Sequence, residues 1–365
     1  MSKWEMMRLG DVLITQPKSK IKAGDGNISG TYKFFTSSNF QNKRINTADY
    51  MKPSLIFGTG GNPSVHFCNE PFSTSTDCIV FSGIESQLKS IFLYLKSNIF
   101  LLGEGFKGAG LKHISKDYIL NIQVPLPPIQ MQSKIIDIFD CSSTLIEKRK
   151  NQIKYLDLLV KSRFIEMFGD PVTNSKGWGM KRLDEISTTR LGKMLDAKRQ
   201  TGKSTYPYLA NFNVQWFRFN FETLNKMDFN ALDRIEFSLK YGDLLICEGG
   251  EVGRTAIWKN ELSDCFFQKA LHRVRCNSNI CIPEYIAWVM FFKTITHFDG
   301  IITGVTIAHL TGEKLKTLKI QIPPLALQNQ FADFVQLVDK YKFVMQAELE
   351  KLELCYKALM QKYFG

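Results

Sequence analysis

Ile122-Gln123-Val124-Pro125-Leu126-Pro127-Pro128-Ile129-Gln130-Met131-Gln132 is written again near the end of the chain as Ile320-Gln321-Ile322-Pro323-Pro324-Leu325-Ala326-Leu327-Gln328-Asn329-Gln330. Aligned on Ile-Gln-Val/Ile-Pro and on the Gln-x-Gln that follows, the two copies stand 198 residues apart. Outward from this stretch the repetition continues in order. Trp4-x-x-x-Arg8-Leu9-x-x-Val12 returns as Trp178-x-x-x-Arg182-Leu183-x-x-Ile186, offset 174. Leu55-Ile56-Phe57-x-x-Gly60-Gly61 returns as Leu244-Leu245-Ile246-x-x-Gly249-Gly250, offset 189, and Phe168-Gly169 returns as Phe364-Gly365. Ordered matches with a drifting offset describe an internal duplication whose second copy carries insertions.

Downstream of each proline cluster the apolar period becomes seven. Phe139, Ile146, Ile153, Val160 and Met167 keep heptad spacing in the first copy, as do Phe331, Val338, Met345, Leu352 and Leu359 in the second. Such a seam belongs to a helix lying along another helix. Ile135, Ser142, Arg149, Leu156 and Arg163 between them are mixed, and Leu145, Leu159 and Phe164 are expected to widen the seam. Prolines 125, 127 and 128 precede the first helix, and Gly169 and Pro171 stop it. Upstream, residues 1–121 and 176–319 are rich in Phe, Tyr, Gly and Asn. They have short strand-like runs at 54–57 and 243–247 that end in Gly-Gly turns, and helices are expected at 91–102 and 283–292. The reading is an α/β chain: mixed domains at 1–121 and 176–319, with long helices at 122–175 and 320–365.

Composition sets the class. A chain of 365 residues has room for two cores, and 44% hydrophobic with 22% charged residues excludes a largely disordered protein. No apolar run reaches the roughly 18 residues of a membrane span. Eight cysteines lack any C-x-x-C pair, and the five histidines do not join them at ligand spacing, so reduced thiols, a cytoplasmic setting and no metal site are expected. Lys and Arg exceed Asp and Glu by 12, and each half, divided after Ser175, carries +6. A basic surplus shared by both copies favours a polyanion, nucleic acid first.

No catalytic signature emerges. Gly202-Lys203-Ser204 resembles the end of a phosphate-binding loop, but Ala197 stands where that loop needs its first glycine. The Pro-Pro pairs have aliphatic neighbours, unlike the amino-methyltransferase signature of Asn or Asp, Pro-Pro and an aromatic. His66 and Cys68 read as buried strand residues, and no Gly-x-Ser-x-Gly elbow occurs.

These residues resemble one family, the specificity subunit of type I restriction–modification systems. The resemblance rests on Val124-Pro125-Leu126-Pro127-Pro128-Ile129 leading into Gln130-x-Gln132, and on the helix end Ser162-Arg163-Phe164-Ile165-Glu166-Met167-Phe168-Gly169-Asp170-Pro171. It rests also on Trp178 with Arg182-Leu183-x-Glu185-Ile186, and on Gly242-Asp243-Leu244-Leu245-Ile246 followed by Gly249-Gly250-x-x-Gly253-Arg254. The first copy departs from the last pattern, with Pro53-Ser54 in place of Gly-Asp.

The resemblance implies two target-recognition domains in pseudo-two-fold repeat, joined by two antiparallel coiled-coil helices. Each domain would read one part of a bipartite double-stranded DNA target. The helices would act as a spacer and dock two methyltransferase subunits, which restriction/translocase subunits then join. S-adenosylmethionine, ATP and Mg would sit on those partners, leaving this chain without catalytic residues or a cofactor.

Base reading takes amide and guanidinium groups, and phosphate contact takes Lys and Arg. On that chemistry the candidates are Ser38, Asn39, Lys43, Arg44, Asn62 and Lys107 in the first domain. In the second they are Arg190, Lys193, Lys198, Arg199, Lys203, Asn211, Asn213 and Arg254. Singly each would read as a solvated charge or a turn amide; as clusters they favour DNA. The competing expectations are a stand-alone DNA methyltransferase or nuclease with a similar recognition region, and a coiled-coil scaffold without DNA function.

Overall fold

A computed structural model describes residues 4–108, 110, 112–196, 200–295 and 310–364. The chain divides into two units, Met1–Gln152 with Met345–Gly365, and Ile153–Val344.

The first unit opens with β1 (Met6–Arg8), α1 (Leu9–Val12), β2 (Ile14–Thr15), β3 (Tyr32–Phe35) and β4 (Lys43–Ile45). Then come β5 (Ser54–Gly58), β6 (Ser64–Cys68), β7 (Phe72–Thr74), β8 (Cys78–Ser82), α2 (Glu85–Ser97), α3 (Phe100–Gly103), α4 (Lys116–Asn121) and β9 (Gln123–Pro125). Three sheets result: β1-β9, an antiparallel β2-β8-β5-β6, and β4-β3-β7 in which β3 and β7 run parallel. The central strand β5 is buried along its whole length because it is covered on both faces. Alternate residues serve opposite faces, as the strand period of two requires. Leu55 and Phe57 pack with Leu88, Ile91 and Leu95 of α2. Ile56 faces Phe35, Phe72 and Val80. The helix expected at 91–102 begins six residues earlier and breaks after Ser97, where the Asn98 side chain donates to the Tyr94 carbonyl at 3.0 Å.

A long helix, α5 (Ile129–Phe168), leads onward. The second unit repeats the plan with β10 (Met180–Arg182), α6 (Leu183–Ile186), β11 (Ser187–Leu191), β12 (Thr205–Leu209), β13 (Val214–Gln215), β14 (Arg218–Phe219) and β15 (Asn225–Asp228). It continues through α7 (Ala231–Glu236), β16 (Leu244–Cys247), β17 (Thr255–Ile257), β18 (Phe266–Phe267), β19 (Leu271–Cys276), α8 (Pro283–Ile295), α9 (Gly312–Thr317), β20 (Lys319–Gln321) and α10 (Leu325–Phe364).

Its sheets β10-β20, β11-β19-β16-β17 and β15-β12-β18 have the strand order of the first unit, down to the parallel β12–β18 pair. Leu244 and Ile246 again face the helix side, and Leu245 and Cys247 the other sheet. The hairpin β13–β14 lengthens the β12–β15 connection, and α7 lengthens the β15–β16 connection. These two insertions account for the offset growing from 174 to 189.

The long helices pair antiparallel within each unit. In the first, the Phe139 ring meets Tyr356 at 5.2 Å, Arg149 pairs with Glu348 at 2.8 Å and Lys150 with Glu353 at 2.7 Å. In the second, Asp157 pairs with Lys342 at 2.5 Å, and Phe164 and Phe168 meet Phe331 at 5.3 and 5.4 Å. Partner numbers fall on α10 as they rise on α5.

The heptad positions differ in burial along the helices, and Leu349 and Met360, outside the heptad set, are also buried. Phe139, Val160, Met167, Phe331 and Val338 are buried, and Ile146, Ile153, Met345, Leu352 and Leu359 are half-buried. Phe164 joins the core, whereas Leu145 and Leu159, expected to widen the seam, are 47% and 48% exposed.

The offset of 198 is corrected by the structure. Gln132 and Gln328 are the equivalent, fully buried residues, each donating through Nε2 to the proline carbonyl five residues back, Pro127 at 2.8 Å and Pro323 at 2.9 Å. That gives 196, the spacing that also relates β9 to β20. Gln130 and Gln330 are exposed. The identical Gln-x-Gln letters therefore stand two residues out of structural register.

Candidate nucleic-acid interface

In the first unit three loops converge beyond the β5–β6 hairpin. The Ser37 hydroxyl donates to the Asp77 carbonyl at 2.5 Å and accepts from Thr59 N–H at 3.0 Å and Gly60 N–H at 3.4 Å. The approach is close: a Cβ added to Gly58 would lie 2.8 Å from the Ser37 Cα. His113 bonds through Nδ1 to the Thr59 carbonyl at 3.1 Å, and its backbone pairs with that of Lys107. His66 bonds through Nε2 to the Ser38 carbonyl at 2.7 Å; burial pushes its imidazole below the ordinary value. A carbonyl partner requires the N–H on Nε2. The result is one edge carrying Ser38, Asn39, Asn62 and Lys107.

The neighbouring cations are framework. Lys43 donates to the Ala23 carbonyl at 2.7 Å, and Arg44 to the Gly30 and Thr31 carbonyls, both at 2.6 Å. Sequence alone cannot tell a strand cation fastening the next loop from one aimed at phosphate. Asn39, Asn62 and Lys107 are exposed, with no side-chain hydrogen bond or ion pair among the described residues.

In the second unit the equivalent edge joins loops 210–213, 248–254 and 268–270. Glu248 N–H donates to the Ala270 carbonyl, and Arg254 donates to the Asn211 carbonyl at 2.9 Å while pairing with Glu251. A Cβ on Gly250, already at φ +78°, would come within 3.1 Å of the Asn211 amide nitrogen.

Asn213, expected to touch DNA, is buried instead. Its amide donates to the Asn220 and Thr223 carbonyls at 2.9 and 2.8 Å, and its oxygen accepts from Ala210 N–H. The insertion that created β13–β14 supplies those carbonyls. Arg254, one-tenth exposed at its side chain, locks two loops together. Lys193 is spent on Asp233 at 2.6 Å, the Asp228 carbonyl and the Phe229 ring. Arg190 is exposed but paired with Glu236. Lys198 and Arg199 lie outside the described residues. Lys203 and Asn211 keep accessible side chains.

The phosphate-loop lookalike is filled from within. Thr201, Gly202 and Ser204 N–H groups and the Thr201 and Thr205 hydroxyls all donate to the Asp228 carboxylate. These donors, Thr201 first, hold that carboxyl well below its usual range. Donors that could cradle a phosphate already hold an anion. Among the described residues no three His, Cys, Asp or Glu side chains are grouped to hold a metal, and no helix is long and apolar enough to cross a membrane.

Residues 1–155 and 175–354 match the family described as type I restriction modification DNA specificity domain. The chain belongs to that family. The match takes in both copies of the repeat, the unit of structure found twice above. Among similar proteins is the type I restriction enzyme MjaVIII specificity subunit of Methanocaldococcus jannaschii, 21% identical over 98% of this chain and 91% of its own length. The crystal structure of a type I restriction–modification S subunit from M. genitalium superposes with a TM-score of 0.66 at 14% identity, covering all of this chain and 96% of that one. A second structure, from work on complex assembly and conformational transition of the type I system, gives 0.61 at 16% identity over 99% and 97%. At these identities the solved structures establish the fold; the family match establishes a type I specificity subunit.

Missed in the sequence were Thr59 and His113, which with Ser37 assemble the first edge, and the part played by Phe40, which projects from it. The recurrence of Asn39-Phe40 as Asn211-Phe212 was the available signal.

Proposed function

We propose that each unit reads one part of a bipartite duplex DNA target and that the chain itself performs no bond-making chemistry. The observation that carries this is one three-sheet unit built twice with identical strand order, but with different loops at the equivalent edge. An asymmetric bipartite target needs two readers that differ only where they touch bases. S-adenosylmethionine, ATP and Mg belong on partner subunits in this reading.

The helix pair is the docking surface for two methyltransferase subunits, with restriction/translocase subunits joining them. The support is apolar surface left facing solvent: Leu337, Tyr341 and Val344 at i, i+4 and i+7 on α10, and Tyr155, Leu158 and Leu159 on α5, all 45–65% exposed. Apolar stripes of this kind on a helix mark contact sites.

The test is a domain exchange. Residues 1–121 are replaced by those of another family member and the chain is assembled with methyltransferase subunits. Methylation of DNA with labelled S-adenosylmethionine should then change in one half of the recognised sequence, and the chain alone should transfer no label. A change in both halves, or transfer by the chain alone, overturns the reading.

A further inference from the structure

Phe40 is 80% exposed, on the loop that Ser37 and Ser38 hold against the β5–β6 turn. Its ring has no aromatic or cationic partner among the described residues, and neither does the Asn39 amide have a hydrogen-bond partner there. The backbone beneath them is pinned. Phe40 N–H donates to the Ser38 hydroxyl at 3.1 Å, the Ser38 carbonyl accepts from His66, and Ser37 is bonded to two neighbouring loops. An amide and an aromatic ring are therefore presented side by side on a preorganised support, which lowers the ordering cost of contact.

The surroundings select the occupant. Segments 36–44, 58–63 and 107–113 contain no carboxylate and carry Lys107 and Lys112 beside the carbonyl-bound Lys43 and Arg44; the exposed Asp77, whose carbonyl accepts from Ser37, adjoins them and leaves the surroundings net positive. An edge so composed suits a polyanion that also offers flat hydrogen-bonding and apolar groups. In duplex DNA, an asparagine amide matches adenine N6 and N7 in the major groove, and an apolar side chain matches the thymine methyl beside it.

We propose that Asn39 and Phe40 together read one A·T pair of the first half-site in the major groove, Asn39 on the adenine and Phe40 against the thymine methyl. This rests on the DNA-reading function proposed above. The second unit repeats the dipeptide, but Asn211 there accepts from Phe212 N–H at 3.0 Å and Phe212 is only 44% exposed, so the assignment is confined to the first unit.

The test uses the assembled methyltransferase complex. Mapping methylated bases in DNA from cells carrying the complete system defines the half-sites, and the domain exchange assigns one of them to residues 1–121. Each thymine of that half-site is then replaced singly by uracil, which removes only the methyl group. One position should weaken wild-type binding about fourfold, the value of one buried methyl. Phe40→Ala should weaken binding to thymine DNA by at least that factor and abolish the difference between thymine and uracil at that position. Asn39→Ala should lose about tenfold, with discrimination relaxed at the same pair. An unchanged melting temperature for Phe40→Ala confirms that the fold is intact.

The inference is overturned if Phe40→Ala binds as wild type, or if it binds weakly while keeping full uracil sensitivity. It is also overturned if no thymine is uracil-sensitive; in that case a weak Phe40→Ala indicates a wedge between base steps. A complex without any sequence preference would instead bring down the DNA-reading function, a result distinguishable from all of these.

Discussion

Replacing Gln328 by alanine should loosen the attachment of α10 far more than its place beside two proline-rich letters implies. The side chain is fully buried. Its Nε2 donates to the Pro323 carbonyl at 2.9 Å and the Ile280 carbonyl at 3.1 Å, and its oxygen accepts from Ile282 N–H at 3.1 Å. One amide thus caps the start of α10 and ties it to the segment entering α8. Three bonds at about 1 kcal/mol net each give a loss of about 3 kcal/mol, with buried orphaned groups pushing it higher. For a unit of this size that is a fall of roughly 6–12 °C in melting temperature.

Gln132→Ala loses the Pro127 bond and the one accepted from Ser86 at 2.9 Å, about 2 kcal/mol on the same scale. Gln130→Ala and Gln330→Ala remove exposed side chains and should stay within about 0.5 kcal/mol of wild type. Calorimetry with urea titration of the four variants measures the set. If Gln330→Ala costs as much as Gln328→Ala, the 196-residue register and the capping argument both fail.

Lys107→Ala and Lys203→Ala should leave stability unchanged but each flatten the salt dependence of DNA binding by about one phosphate contact, whereas Lys193→Ala should lower stability through loss of its Asp233 and Phe229 partners. Salt titrations with thermal melts decide this, and a Lys193→Ala chain of normal stability would contradict the assignment. Stability should also fall as pH drops below about 6.5, the unfolded histidine value. Burial, the leading cause, holds the imidazoles of His66 and His272 below that value in the folded chain, so folding is favoured above it and opposed by protonation below it. A urea midpoint constant from pH 7.5 to pH 5 would refute this, and His66→Gln or His272→Gln should flatten the slope.

Much of the architecture was legible because it is written in periods. The duplication, the α/β class and the helix seam follow from repeated letters and a seven-residue apolar spacing, which the backbone geometry turns directly into faces. Residues such as Phe139, Val160 and Phe331 could be placed in the seam from spacing alone. The exposure of Leu145 and Leu159 could not be read there, because which side of a helix is covered depends on where its partner runs.

The candidate interface was legible only in outline. Asn, Lys and Arg in loops announce polar surface, but whether a given side chain faces DNA or a neighbouring carbonyl is decided by distant chain. Asn213 is buried because an insertion folds Asn220 and Thr223 over it, Arg44 is occupied because residues 30 and 31 pass within its reach, and Asp228 fills the loop around Lys203 from 25 residues away. The sequence by itself determined that one unit is built twice around paired long helices, since local periodicity specifies it. Only the tertiary structure decided which polar groups remain unspent, because a hydrogen bond between residues far apart in the chain leaves no trace in the spacing of either.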